Sequence, residues 1–219
     1  TNRLVGSEMC IRDSPKNPNV VWVGTGENNN QRSVAYGDGV YKSVDGGASW
    51  KNMGLKSSEH IGNILIHPEN SDIVYVSAYG PLWNKGGDRG IYKTTDGGKS
   101  WNKILFIDEH TGFNEIHMDP RNPDVLYATS HQRRRHVYTY VGGGPGSGIH
   151  KSVDGGNTWR KINKGLPGVE IGRIGMDISD ANPEVIYAIV EASERKGGFY
   201  KSTNRGCLLY TSPSPRDGW

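Results

Sequence analysis

An eight-residue phrase written three times constrains this chain more than any other feature. Ser43-Val44-Asp45-Gly46-Gly47-Ala48-Ser49-Trp50 returns as Thr94-Thr95-Asp96-Gly97-Gly98-Lys99-Ser100-Trp101 and as Ser152-Val153-Asp154-Gly155-Gly156-Asn157-Thr158-Trp159, and a fourth copy opens at Ser202 with Asn204 in place of the aspartate. The third position recurs at intervals of 51, 58 and 50 residues, from 45 to 96 to 154 to 204. A period in that range makes each unit one supersecondary module, which buries its faces against neighbouring copies.

The phrase is embedded in extended chain. An aromatic residue or histidine followed by lysine stands ahead of each copy, at Tyr41-Lys42, Tyr92-Lys93, His150-Lys151 and Tyr200-Lys201. Farther upstream lie short β-branched runs, at 20–23, 73–76, 125–128 and 185–188, three of them introduced by Asn-Pro at Asn17, Asn122 and Asn182. Alternating segments at 61–67, 114–119 and 171–178 precede the last three runs. Each unit therefore reads as four strands, A to D, and no stretch carries a sustained helical period. The predicted fold class is all-β, a partial β-propeller of four-stranded antiparallel blades. About three blades are complete, because the first unit lacks strand A and the last lacks strand D. Propellers close with about 4–8 blades, so missing blades of the same chain are expected partners.

The two ends read differently from the middle. Met9 to Asp13 is encodable as ATG-TGT-ATA-AGA-GAC, whose reverse complement in a shifted frame encodes part of Cys207 to Ser212. The pair resembles one sequencing adapter translated from opposite strands. Residues 1–14 and 207–219 are therefore expected to be foreign, leaving 15–206 as the native propeller fragment of metagenomic type. Both cysteines, Cys10 and Cys207, fall in those ends, so the middle offers neither a disulfide nor a thiolate metal site.

Composition narrows the classes further. The chain has 26 basic and 23 acidic residues, a formal net charge of +3, which leaves no nucleic-acid footprint. No run of about 18 apolar residues exists, so no membrane segment is expected.

The letters of the phrase have a physical account. Gly46-Gly47, Gly97-Gly98 and Gly155-Gly156 permit the positive φ of a tight C–D reversal, and Asp45, Asp96 and Asp154 can accept hydrogen bonds from its amides. Trp50, Trp101 and Trp159 supply apolar faces at the start of strand D. A carboxylate repeated in every blade serves the fold, so Ser43, Asp45, Gly47, Trp50, Thr94, Asp96, Gly98, Trp101, Ser152, Asp154, Gly156 and Trp159 are assigned a structural role.

The pattern Ser/Thr-x-Asp-x-Gly-x-x-Trp resembles the Asp-box, or BNR repeat, of sialidases and related propellers. Gly24-Thr25-Gly26-Glu27-Asn28, Gly37-Asp38-Gly39-Val40-Tyr41, Gly80-Pro81-Leu82-Trp83, Asp108-Glu109-His110-Thr111-Gly112 and His131-Gln132-Arg133-Arg134-Arg135-His136 resemble secreted bacterial proteins with a sortilin N-terminal-like propeller, which often carry a glycosyl hydrolase label. The resemblance implies an extracytoplasmic, secreted or periplasmic propeller that binds an extracellular protein, peptide or carbohydrate. It implies no cofactor.

Topology places the B–C loops and D–A crossings on one face and the octapeptide turns on the other. The B–C loops run over 26–38, 79–89, 130–148 and 191–197, and their varied lengths suit function. Glu27, Asn28, Arg32, Trp83, Arg89, His131, Arg133, Arg135 and Tyr138 are the ligand-binding candidates, mixing aromatic faces with orienting polar groups. The crossings carry Glu59-His60 and Glu109-His110, with Glu170 at the matching place. His60 and His110 are weak metal candidates, and buttressing by repeated residues is the simpler reading. No catalytic residue is assigned. The enzyme alternative is a glycoside hydrolase, sialidase- or xyloglucanase-like, drawing acid and base from Glu27, Glu59 and Glu109 with an incomplete site. A scaffold that assembles through its rim is a third possibility.

Overall fold

Asn-Pro and glycine breaks cut the chain into short runs whose β-branched residues suit a pleated surface, and these runs pair in chain order. The computed structural model describes residues 10–211. Its first sheet joins β1 (Cys10–Asp13), β2 (Val21–Gly24), β3 (Val40–Ser43) and β4 (Lys51–Asn52). The second joins β5 (Ile61–His67), β6 (Asn70–Ala78), β7 (Gly90–Thr94) and β8 (Asn102–Leu105). In the third, β9 (Thr111–Asp119) and β10 (Asn122–Gln132) precede a two-stranded ribbon, β11 (Arg134–Arg135) and β12 (Tyr140–Val141), and the sheet resumes with β13 (Gly148–Ser152) and β14 (Arg160–Lys161). The fourth joins β15 (Ile171–Ile178), β16 (Ile186–Ala192), β17 (Gly198–Ser202) and β18 (Tyr210–Thr211). Every pairing is antiparallel. These are the blades of a partial propeller.

Both end blades are more complete than the sequence suggests. Cys10–Asp13 occupies the strand A position of blade I, with Arg12 opposite Trp22, and Tyr210–Thr211 occupies the strand D position of blade IV. A free sheet edge pairs through backbone groups and demands little of the side chains that supply them. Of the adapter-like residues, 1–9 and 212–219 lie outside the described residues.

The core lies between blades. Trp22 and Val40 of blade I meet Ile64, Val74 and Val76 of blade II. Tyr75 and Ile91 then meet Phe113, Ile116 and Leu126, and Tyr127 and Ile149 meet Ile174, Ile186 and Tyr200. Burial of this kind supplies the main stabilisation, about 1.5–3 kcal/mol for each fully buried large aliphatic or aromatic side chain.

The octapeptide turns have one hydrogen-bond plan. In blade I, Ser43 Oγ donates to Asp45 Oδ1 at 2.7 Å and accepts from the Gly47 amide at 2.8 Å, while the Ser49 amide and hydroxyl donate to the two Asp45 oxygens at 2.9 and 2.5 Å. Thr94, Asp96, Gly98 and Ser100 repeat the arrangement, as do Ser152, Asp154, Gly156 and Thr158. In blade IV, Asn204 Oδ1 accepts from Ser202 Oγ and the Leu208 amide, both at 2.9 Å, so an amide oxygen replaces the carboxylate.

The turns of blades II, III and IV also grip the blade before them. Lys42 Nζ donates to the Gly97 carbonyl at 3.1 Å, Lys93 Nζ to Gly155 at 2.9 Å and Lys151 Nζ to Arg205 at 2.9 Å. Each lysine lies over the strand B aromatic of its own blade, Trp22, Tyr75 or Tyr127. The Tyr75 and Tyr127 hydroxyls donate to the same Gly155 and Arg205 carbonyls, at 3.2 and 3.3 Å. Trp101 closes the first seam by packing edge-on against Trp22, ring centroids 5.9 Å apart, and donating Nε1 to Met53 O at 2.8 Å.

Candidate functional site: the loop face

The D–A crossings bind loop to loop through their backbone. The Glu59 and Glu109 carbonyls accept from the Gly37 and Gly86 amides, both at 2.8 Å, and the His60 and His110 carbonyls accept from Tyr79 and Arg133 at 2.9 and 3.2 Å. The shared position of the two Glu-His pairs is thus used by main-chain atoms. Among the described residues no three His, Cys, Asp or Glu side chains converge as a metal site.

Arg89 is fully buried and organises the loop of blade II. Its Nε donates to Gly86 O at 2.9 Å, Nη1 to Tyr79 O at 2.9 Å, and Nη2 to Asn84 O at 2.8 Å and to Pro81 O. Burial, followed by the neighbouring Arg133 charge, pulls its pKa down to about 10. Arg89 therefore faces its own loop.

Arg133 is equally buried and ties three blades together. Its guanidinium carbon lies 3.4 Å from the Tyr79 ring centroid. Nη1 donates to Asn29 O at 3.0 Å and to Asn30 Oδ1 at 2.7 Å, and Nη2 to Gly80 O at 3.4 Å. The Tyr79 hydroxyl pairs with His131 Nδ1, and His131 Nε2 pairs with Gly142 O at 3.2 Å. Burial holds the imidazole near pKa 4 and pushes the Tyr79 phenol up. Although expected on a loop, His131 lies in β10, which runs on to Gln132.

The blade I loop spans the mouth of the face. Besides Arg133, Arg135 Nη2 donates to Asn30 O, Arg173 Nη1 donates to Asn28 O at 3.3 Å, and Arg32 Nη2 reaches Val137 O at 3.0 Å. Among the described residues, arginine ion pairs are confined to Arg121 and Arg205. Arg32, Arg89, Arg133, Arg134, Arg135 and Arg173 thus gather on this face without a carboxylate in salt-bridge range. His60 is buried beside Arg133 with both ring nitrogens unpartnered among the described residues, and burial pulls its pKa to about 4. Asn28 Oδ1 and Arg133 Nε are also unpartnered there.

The expected site residues divide between interior and surface. Arg89, His131 and Arg133 lie inside, whereas Glu27, Asn28, Trp83 and Arg135 are half-buried. Arg32 is exposed, and Tyr138 is 85% exposed and stacked on His136. The Glu27 carboxylate accepts from the Ala35 amide at 2.8 Å, and exposed Glu109 pairs with Lys85 at 3.4 Å. Burial raises the Glu59 carboxyl, with Arg89 and Arg133 opposing that rise. Sequence reasoning misses Arg173, whose only signal is a lone cation within the apolar strand A of blade IV.

Blades, seams and loop face define a β-propeller built of four-stranded units. The family model described as "Sortilin, neurotensin receptor 3" (Sortilin-Vps10) matches residues 38–213, most of the chain, and the chain belongs to that family. No curated protein is similar enough to match. Among solved structures, an ancestral GH74 enzyme is similar at 21% identity and TM-score 0.67, over 96% of this chain and 24% of its own. The GH74 xyloglucanase of Xanthomonas campestris gives 14% identity and TM-score 0.69 over 95% and 30%, and YCF48 of Cyanidioschyzon merolae 17% and 0.53 over 95% and 58%. The chain spans about a quarter to a third of the GH74 enzymes it matches. At these identities the likeness is one of fold.

Proposed function

We propose that this chain is part of an exported Asp-box propeller that binds a protein, peptide or glycan through its B–C and D–A loop face. The observation that carries the reading is the gathering of five arginines there, Arg32, Arg89, Arg133, Arg135 and Arg173, whose guanidiniums meet backbone carbonyls, and for Arg133 and Arg135 aromatic rings as well, with no carboxylate paired to them. Guanidinium forks in a partly dry setting favour ligands that bring anionic oxygens, because charge-assisted hydrogen bonds exceed those to neutral carbonyls. Half-buried Trp83 and Tyr140 offer apolar faces beside them. Membership of the sortilin family supports an extracytoplasmic setting, and no helix among the described residues is long and apolar enough to cross a membrane. A glycan array and a panel of acidic, neutral and basic peptides test the reading. Preferential capture of acidic ligands is expected, and blanks in both formats at high micromolar protein would sink it.

A glycoside hydrolase is the second reading, favoured by the upward shift of the Glu59 carboxyl on a fold shared with a xyloglucanase. Acid–base work needs a second carboxyl about 5–9.5 Å away, from this or another blade. Release of reducing sugar from xyloglucan, lost in Glu59→Gln, is the expected sign; undiminished release in Glu27→Gln, Glu59→Gln and Glu109→Gln removes those residues from the chemistry.

A further inference from the structure

The blade I loop is fastened across the loop face by arginines of another blade. Its neck is closed by its own chain, the Glu27 amide donating to Ala35 O at 2.9 Å and the Ala35 amide to the Glu27 carboxylate at 2.8 Å. Between those ends, residues 28–34 form a bow whose bend is set by the Gln31 amide donating to Asn29 Oδ1 at 2.9 Å. From blade III, Arg133 Nη1 donates to Asn29 O and Asn30 Oδ1, and Arg135 Nη2 donates to Asn30 O. The forks thus hold two successive main-chain oxygens and one side-chain oxygen of the bow.

The chemistry of this grip is one-sided. Residues 28–34 are three asparagines, glutamine, arginine, serine and Val34, so the bow brings no anion and one apolar side chain, which is buried. Guanidinium forks bind anionic oxygens more strongly than the neutral oxygens they meet here. With the bow seated, Arg133 Nε, Arg135 Nε, the Tyr140 hydroxyl and both His60 ring nitrogens have no partner among the described residues, although His60 and Arg133 are fully buried. Arg135 lies over the Tyr140 ring at 4.8 Å, and Arg133 stands beside His60, so these groups share one neighbourhood. A segment held by polar contacts and a single apolar anchor opens at low cost.

We propose that residues 28–34 are a strap that occupies Arg133 and Arg135 in place of an acidic peptide, and that such a peptide binds by displacing it. The oxygens now held belong to successive residues of one extended chain, which is the spacing a peptide reproduces, and aspartate or glutamate side chains add the charge that the strap lacks. The strap would swing out about its Glu27–Ala35 neck. Apparent affinity is then lowered by the fraction of molecules in which the strap is closed. Displacement presupposes that the loop face takes anionic ligands, as proposed above, and adds a competitor carried by the chain itself.

Two substitutions at Asn30, measured in the full 219-residue chain with a labelled hexa-aspartate peptide, test the proposal. Asn30→Asp puts a carboxylate where Asn30 Oδ1 already meets Arg133, and should weaken peptide capture at least about tenfold. Asn30→Ala removes that contact from the strap and should strengthen capture by about three- to tenfold. Amide hydrogen exchange across 28–34 should be slower in the first variant and faster in the second, and peptide added to the parent should quicken it while the Lys93–Gly155 seam keeps its protection. Equal affinity in all three proteins, or exchange across 28–34 unchanged or slowed by bound peptide, overturns the strap and leaves the anionic reading of the loop face standing. No capture by any of the three overturns both.

Discussion

The Arg133 guanidinium carbon of blade III lies over the Tyr79 ring of blade II, 3.4 Å from its centroid, while its Nη1 holds Asn29 and Asn30 of blade I. One side chain joins three repeats at the mouth of the loop face. The contact is geometric as much as electrostatic: a planar fork can stack and donate in two directions, and an ammonium cannot.

Arg133→Lys should therefore cost about 2–4 kcal/mol, from a desolvated cation–π stack and lost charge-assisted hydrogen bonds. At about 2–4 °C per kcal/mol for a chain of this size, Tm should fall by about 4–16 °C. Differential scanning calorimetry checks this, and a Tm within about 1 °C of the parent would remove Arg133 from the framework.

Stability should decline with acid in two windows. His60, His131 and His150 have folded pKa values near 4, depressed first by burial, against about 6.5 in the unfolded chain. Between those values the unfolded chain binds more protons, so their contribution is complete above pH about 6.5 and is lost as pH falls toward 4.

A second loss should follow from the octapeptide turns. Hydrogen bonds from Ser43 and Ser49 hold Asp45 at about 2, those from Thr158 and Ser152 hold Asp154 at about 2, and Asp96 lies lower still. Their contribution is present above the unfolded aspartate value of about 3.9 and is lost as pH falls through the folded values. Urea unfolding at pH 6, 4 and 2 should resolve both windows. Changing all three aspartates to asparagine should flatten the lower one and spare the upper, because Asn204 shows an amide oxygen serving the same turn.

Glycine substitutions should rank by what waits beyond the missing Cβ. At Gly98, with φ +91°, an added Cβ would stand 2.5 Å from Trp22 Cη2, whereas at Gly46, with φ +71°, its nearest neighbour is Asn19 Oδ1 at 3.6 Å. Gly98→Ala should cost more than about 1 kcal/mol beyond Gly46→Ala, since both carry the backbone penalty and one adds a clash with a ring fixed in the core. Equal Tm shifts would count against this account of the seam.

The assignment of residues 1–14 and 207–219 to an adapter has its own test. Reading the parent gene across Ser14–Pro15 and Gly206–Cys207 should replace both ends and continue the repeat at about 50-residue spacing. Recovery of the same terminal codons from genomic DNA would make Cys10–Asp13 and Tyr210–Thr211 native strands.

Much of the framework is legible because local chemistry determines it. Gly97-Gly98 and Asp96 announce a turn without help from the rest of the chain, and the β-branched runs mark strand B within a few residues. The end strands are illegible, since Cys10–Asp13 and Tyr210–Thr211 pair through their backbones. The site is less readable still. Arg89 looks like a surface loop cation until the carbonyls of Tyr79, Pro81, Asn84 and Gly86 converge on it, and that convergence exists only in the folded loop. Lys93 stands in a visible Tyr-Lys pair, yet its acceptor lies 62 positions ahead on another blade.

That forward reach has an evolutionary corollary. A repeat that carries its own hook and its own eye can be duplicated, lost or inserted as one stretch of DNA without inventing a new contact, because each newcomer meets its neighbours through parts they already possess. Selection is then free to vary the long loops on the opposite face, so lineages can change ring size and ligand on separate schedules.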